Sequence, residues 1–263
     1  MTDDFNERGY LGEEALTFKE LARQKHRAYF DLFEELNSFS QEKKFIIEVN
    51  NHDGQRVLSV NILIRILNGA QAAYILCGYG LAQEGQIILR SLLEGLIILA
   101  KIVSDPDFVS VYILEDEVDR LKVMEAAEKH EHPVFVELRD HIDAEKVSAL
   151  RKRLKDEGIH RLVLADLAKE VGLGPYYDSI YRLLSPGVHF KVRSLEDYVG
   201  LDEEGAITKI EWGPRYEDIP VILGITMDIL LRGWDEMNKL FHLDLTEDIK
   251  AYLEKLTNIK NAR

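Results

Sequence analysis

"GQIILRSLLEGLIILAKIV", residues 85–103, decides the fold. The stretch is apolar on almost every side of a helix and long enough to span the hydrocarbon of a bilayer. It also carries Arg90, Glu94 and Lys101. Each of those charges is costly at mid-bilayer, so the stretch reads as a helix buried in a protein core. No membrane partner is expected. Residues 55–80, rich in Ile, Leu and Ala, read as a second long apolar helix that ends at Gly80. Two such helices in succession can hide their surfaces only against each other and against further helices, which predicts the buried hairpin of a bundle.

Outward from that hairpin the periodicity stays helical. Leu16, Leu21, Ala22, Tyr29, Phe33 and Leu36 give residues 14–37 helical spacing, and 38–54 read as a polar connector. Residues 1–14 read as a mobile tail. A charged amphipathic helix is expected over 107–130, broken by "HEHP", with further helices over 133–157 and 161–171. Residues 105–175 can therefore be a helical insertion in a single domain over 15–263. "SLEDYVGLDEEGAITKIEWGP" alternates apolar and polar residues about a "DEEG" turn, which predicts a small β-hairpin near 195–212. Helices over 215–242 and 246–260 close the chain. The expected fold class is all-α with that hairpin as an appendage.

Composition narrows the function. At 46% hydrophobic and 30% charged residues, the chain is globular in character. Its single cysteine, Cys77, excludes an internal disulfide framework and fits a reducing, cytoplasmic setting. The opening "MTDDFNERGYLGEE" lacks the basic-then-apolar profile of a secretory signal. A net charge of −14 opposes broad binding to DNA, although a locally basic cleft for RNA is compatible with it.

Within residues 85–103, Arg90 and Glu94 stand four apart and share a face. Charges in greasy surroundings are rarely left alone, because an isolated buried ion costs several kcal/mol. One reading is an internal ion pair. Arginine before glutamate is the poorer order for that pairing on a helix, so the other reading gives each a different partner and a functional role.

A second polar cluster lies in "YRLLSPGVHF", residues 181–190, where Pro186 and Gly187 interrupt a helical pattern. Pro186 pushes Ser185 out of the helical region. Whether the helix kinks or ends there, Arg182, Ser185 and His189 can line one concavity bordered by Tyr181.

"RSLLEG" at 90–95 with "YRLLSPGVHF" at 181–190 resembles an uncharacterised bacterial family of all-helical proteins, a domain of unknown function, across about residues 55–215. That resemblance implies no activity. More distantly, Arg182 and His189 are similar to the Arg-x(4–6)-His motif of the HEPN superfamily, small helical domains that include metal-independent ribonucleases. The likeness implies His189 as general acid or base at a ribose hydroxyl, Arg182 on the phosphate, and Glu94 orienting the histidine. It also implies a homodimer, since such sites are commonly shared between two chains, and a toxin or phage-defence setting.

Other constellations give less. A ferritin-like dimetal site needs two Glu-x-x-His pairs on facing helices, and the sequence offers Glu157 with His160 in a turn. His130, His132 and His141 read as solvated loop residues, and no Walker pattern occurs. Neither a metal nor a cofactor is expected. Three readings remain open: a metal-independent ribonuclease using Arg182, His189 and Glu94; a module gripping a small polar ligand with Arg90, Tyr181 and Ser185; and a structural polar cluster in an interaction protein.

Overall fold

The structure, a computed structural model, describes residues 3–159, 161–184 and 192–262. Its centre is the expected hairpin, Gly54–Gly78 (α4) and Ala82–Ser104 (α5), completed by Ile219–Phe241 (α12), which packs against both. The Asp53 side chain caps α4 by accepting the Arg56 N–H at 3.0 Å. Gly80 then turns the chain with φ +75°, and the Leu81 N–H bonds back to the Leu76 carbonyl at 2.9 Å. Pro220 opens α12 in the first helical turn, where its missing N–H is not needed. Leu93, Ile97, Leu99 and Ile102 of α5 are fully buried, as are Ile222, Met227, Leu230 and Trp234 of α12.

Among the described helices, α4 is the one long and apolar enough to cross a membrane by length and composition, and 33% of its most apolar window is buried. Gly69 and Gly95 set how closely α4 and α5 approach. A Cβ on Gly69 would fall 2.5 Å from Leu92 Cδ2, and one on Gly95 would touch Ile66 at 3.4 Å.

Residues 14–37, read as one helix, form two: Glu14–Lys25 (α2) and Arg27–Lys43 (α3), broken at His26. The break lets each helix bury its own face. Phe18 of α2 packs with Phe5 and Ala15, whereas Phe30, Phe33 and Leu36 of α3 enter the main core. Helix α3 runs on into the expected connector because Trp234 covers it. The indole Nε1–H donates to Ser40 Oγ at 2.9 Å, and that hydroxyl donates to the Leu36 carbonyl at 2.8 Å. Within residues 1–14, read as a tail, Asp3–Arg8 (α1) is helical. Phe5 is buried edge-on against Tyr10 and Phe18, and Asp4 accepts the Glu14 N–H at 2.9 Å.

Phe108–Lys129 (α6) and Ala144–Asp156 (α8) gather a small core of their own around Leu121, Val147 and Leu154, with Val136–Asp140 (α7) packed on α6. Leu164–Glu170 (α9) returns to the main core through Leu167 and Ala168. Gly174–Tyr176 (α10) continues into a π-helical turn over Tyr177–Tyr181. After Val192–Leu195 (α11) comes the hairpin, Val199–Leu201 (β1) paired antiparallel with Ile207–Ile210 (β2). Thr246–Asn261 (α13) packs on α3 and α12. The chain is thus mainly helical with a small two-stranded sheet, the fold class the sequence predicts.

Candidate functional site

Arg90 and Glu94 project from the middle of α5 toward the segment after α10. A π-helical turn is wider than an α-helical one and tends to occur at functional positions. Here it stacks Tyr177 on Tyr181, with ring centroids 4.7 Å apart and an 18° angle between planes. Tyr181 then closes a three-residue centre. An Arg90 Nη donates to the Tyr181 hydroxyl at 2.7 Å, and that hydroxyl donates to Glu94 Oε1 at 2.6 Å. The Arg90 guanidinium also lies over the Tyr181 ring, 4.5 Å from its centroid.

The direct Arg90–Glu94 separation is 3.7 Å, long for a charged hydrogen bond. The phenol therefore mediates the pairing, and both charges take Tyr181 as their nearest partner. The Arg90 side chain is 15% exposed and that of Glu94 42%. Burial, followed by the acceptor Glu94, raises the Tyr181 pKa and keeps the phenol a donor at neutral pH. Arg90 Nε is buried with no hydrogen-bond partner among the described residues. An unmet donor of this kind is costly unless something accepts from it.

Glu94 faces two ways. Besides Tyr181 it lines a groove of about 510 Å³ between α4 and α5. Ile66, Leu92, Gly69 and Gly95 help form the apolar part, while Arg65, Asn68, Ser91 and Tyr112 contribute polar groups. This volume suits a metabolite-sized molecule with an apolar body and a few polar groups.

A second latch holds the other side of the same segment. The Tyr176 hydroxyl donates to Asp228 Oδ2 at 2.7 Å, Arg232 Nε donates to the same oxygen at 2.9 Å, and the guanidinium sits 4.6 Å from the Tyr176 ring centroid. Burial and the Asp228 acceptor push the Tyr176 pKa up to about 12. The segment Gly174–Tyr181 is thus clamped to α5 on one side and to α12 on the other, each time by tyrosine, arginine and a carboxylate.

The structure brings Arg90, Glu94 and Tyr181 together. Arg182, expected to be catalytic, is exposed: its Nε donates to Asp178 at 3.0 Å and its guanidinium lies 5.7 Å from the Tyr177 ring centroid. Ser185 and His189 lie outside the described residues. Among the described residues, no group of three or more His, Cys, Asp or Glu side chains is arranged to hold a metal. Cys77 is buried, and burial pushes its thiol up to about 12, away from nucleophilic use. The sequence reading missed Asp228 and Arg232, although they carry the same signal as Arg90 and Glu94: opposite charges four apart on an apolar helix. It also missed Arg65, Asn68, Ser91 and Tyr112, whose convergence depends on how α4, α5 and α6 pack together.

Residues 56–207, more than half of the chain, match the family described as "Family of unknown function (DUF5677)", and the chain belongs to that family. No curated protein and no solved structure matches it.

Proposed function

We propose that this member of the DUF5677 family is a helical binding module that takes a small polar ligand in the groove between α4 and α5. The observation that carries the reading is the double role of Glu94, which lines the groove and is bonded to the Tyr181 phenol. A ligand carrying a cationic or hydrogen-bond-donor group would draw on the free lone pairs of that carboxylate, while Arg65 would meet an acidic group on the same molecule. Binding would be felt at once by the Tyr177–Tyr181 turn. The carboxylate would act as a positioning group, and no bond need break.

The test is a thermal-shift survey of the purified chain with amino acids, small amines and nucleotides. A ligand present at a hundred times its Kd adds about 2.7 kcal/mol, which raises Tm by roughly 5–10 °C for a chain of this size. Ala72 lines the groove, so Ala72→Trp, which fills it, and Glu94→Gln should both remove the shift. A panel that leaves Tm unmoved, or a shift that persists in both variants, would refute the reading.

A second reading rests on Arg182. Its exposed guanidinium stands one residue beyond the polar centre and directly precedes the segment holding His189. We propose for that arrangement a HEPN-like, metal-independent endoribonuclease, acting as a cytoplasmic homodimer of bacterial toxin or phage-defence type. Arg182 would hold the phosphate, His189 would move the proton of the ribose hydroxyl, and Glu94 would orient the imidazole. RNA incubated with the chain in EDTA should be cut, and His189→Ala and Arg182→Ala should leave it intact. Equal cutting by all three proteins, or by none, refutes it.

A further inference from the structure

The β-hairpin carries a patch of a different kind. Val199 pairs with Ile210 and Leu201 with Ile207, although Ile207 and Ile210 are three residues apart. Simple alternation would put those two isoleucines on opposite faces. A bulge at Thr208, whose hydroxyl donates to the Gly200 carbonyl at 3.0 Å, restores them to the face that Val199 and Leu201 share. The opposite face is polar and closed, with Lys209 paired to Glu211 at 2.8 Å. The hairpin is therefore amphipathic, and among the described residues its apolar face is open over Leu201, Ile207 and Ile210, with Val199 half-buried at one end. Leu201, Ile207 and Ile210 are half or more exposed, Trp212 beside them is 74% exposed, and none of them joins a hydrophobic cluster. A two-stranded ribbon is marginal by itself in water, and bare apolar faces of this sort mark interaction sites.

Charge identifies the occupant. Asp202, Glu203 and Glu204 form an acidic rim at the turn end of the strip, whereas Glu211 is paired with Lys209 on the opposite face and Glu196 lines a pocket with Arg215. A second copy of a chain with net charge −14 would bring the same acidic rim against this one. The Glu211 N–H donates to the Tyr198 carbonyl at 2.8 Å. By the antiparallel alternation, the backbone groups of Val199 and Ile210 then point to the free edges of the sheet. We infer that this hairpin is a docking surface for an extended segment of another protein that alternates apolar and basic side chains. The segment adds a strand at a free edge, lays its apolar side chains along Val199, Leu201, Ile207 and Ile210, and sets its lysines or arginines against the acidic rim. This inference stands apart from the α4–α5 groove.

Tryptophan fluorescence of the full chain tests it. Trp212 is exposed and Trp234 fully buried, so a partner covering the hairpin shifts the emission of Trp212 alone. The probe is a synthetic nonapeptide of alternating lysine and valine, with its glutamate–valine counterpart as control. A saturable blue shift is expected with the lysine peptide only. It should disappear in Trp212→Phe, and binding should be about tenfold weaker in Ile210→Thr and in the pair Glu203→Gln and Glu204→Gln. The inference is overturned by the absence of a shift at millimolar peptide, by an equal shift with the glutamate peptide, or by an equal shift with anionic phospholipid vesicles. It is overturned too if the chain alone sediments as a dimer that Ile210→Thr converts to a monomer.

Discussion

Replacing Tyr181 by phenylalanine removes one oxygen atom and separates two accounts of the polar centre. The ring keeps its stack on Tyr177 and its position under the Arg90 guanidinium. What goes is the bond from Arg90 at 2.7 Å and the bond to Glu94 at 2.6 Å. Hydrogen bonds to charged groups contribute about 1.5–3 kcal/mol each in proteins, so two would set an upper limit near 6 kcal/mol on that scale. Two features lower it. Glu94 is partly solvated, and the 3.7 Å gap between Arg90 and Glu94 is short enough for a direct pair to close. The expected loss is about 2 kcal/mol, or roughly 4–8 °C in Tm for a chain of this length. Urea denaturation of wild type, Tyr181→Phe, Glu94→Gln and the double variant completes a cycle. The phenol as mediator demands a coupling well above the roughly 0.5 kcal/mol within which independent sites add. A Tyr181→Phe loss under about 0.5 kcal/mol, or strict additivity in the cycle, would refute that role.

Three other perturbations test the frame around the site. Gly80→Ala should cost about 2–4 kcal/mol in urea denaturation, because the residue holds φ +75° and a Cβ would fall 2.4 Å from Pro214 Cβ. The Arg23 guanidinium, helped by the Tyr74 hydroxyl, holds the Glu34 pKa at about 2 against an ordinary 4.5. The stability this pair contributes is therefore complete above about pH 4.5 and is lost as pH falls toward 2; Glu34→Gln should flatten the acid limb of the urea-midpoint profile. Tyr176 has the opposite sign, its pKa raised from 10.0 to about 12. Its contribution is full below pH 10 and disappears as pH rises through 12, a window shared with Tyr10 and Tyr74, so Tyr176→Phe should make the alkaline thermal-stability decline shallower without abolishing it.

The helices that matter were plain in the sequence because they are apolar nearly all round, and such helices have no stable place except against one another. The same physics flagged Arg90 and Glu94, two charges that could not be buried unpartnered. Their actual partner was harder to read. Tyr181 reaches them through a π-helical turn, which no spacing rule announces. The break at His26 was hidden because apolar spacing continues through it: Ala22 and the second half share the main core, while Phe18 of the first half turns to Phe5 and Ala15. The groove was invisible for a further reason: Gly69 and Gly95 lie far apart in sequence, and only the crossing of α4 and α5 sets them on either side of one space. The hairpin was legible as alternation, but the shared face of Ile207 and Ile210 is created by one extra residue in one strand.

The position of α12 has a consequence for every chain built on this plan. The stretch recurring across the family, residues 56–207, contains both walls of the groove and both ends of the Arg90–Tyr181–Glu94 relay. It omits Trp234, Met227 and Ile222, against which the backs of those walls are sealed. A fragment trimmed to the shared stretch would turn that greasy seam to water and should aggregate. The seam needs a long apolar helix from outside the matched stretch, and in this chain α12 supplies it.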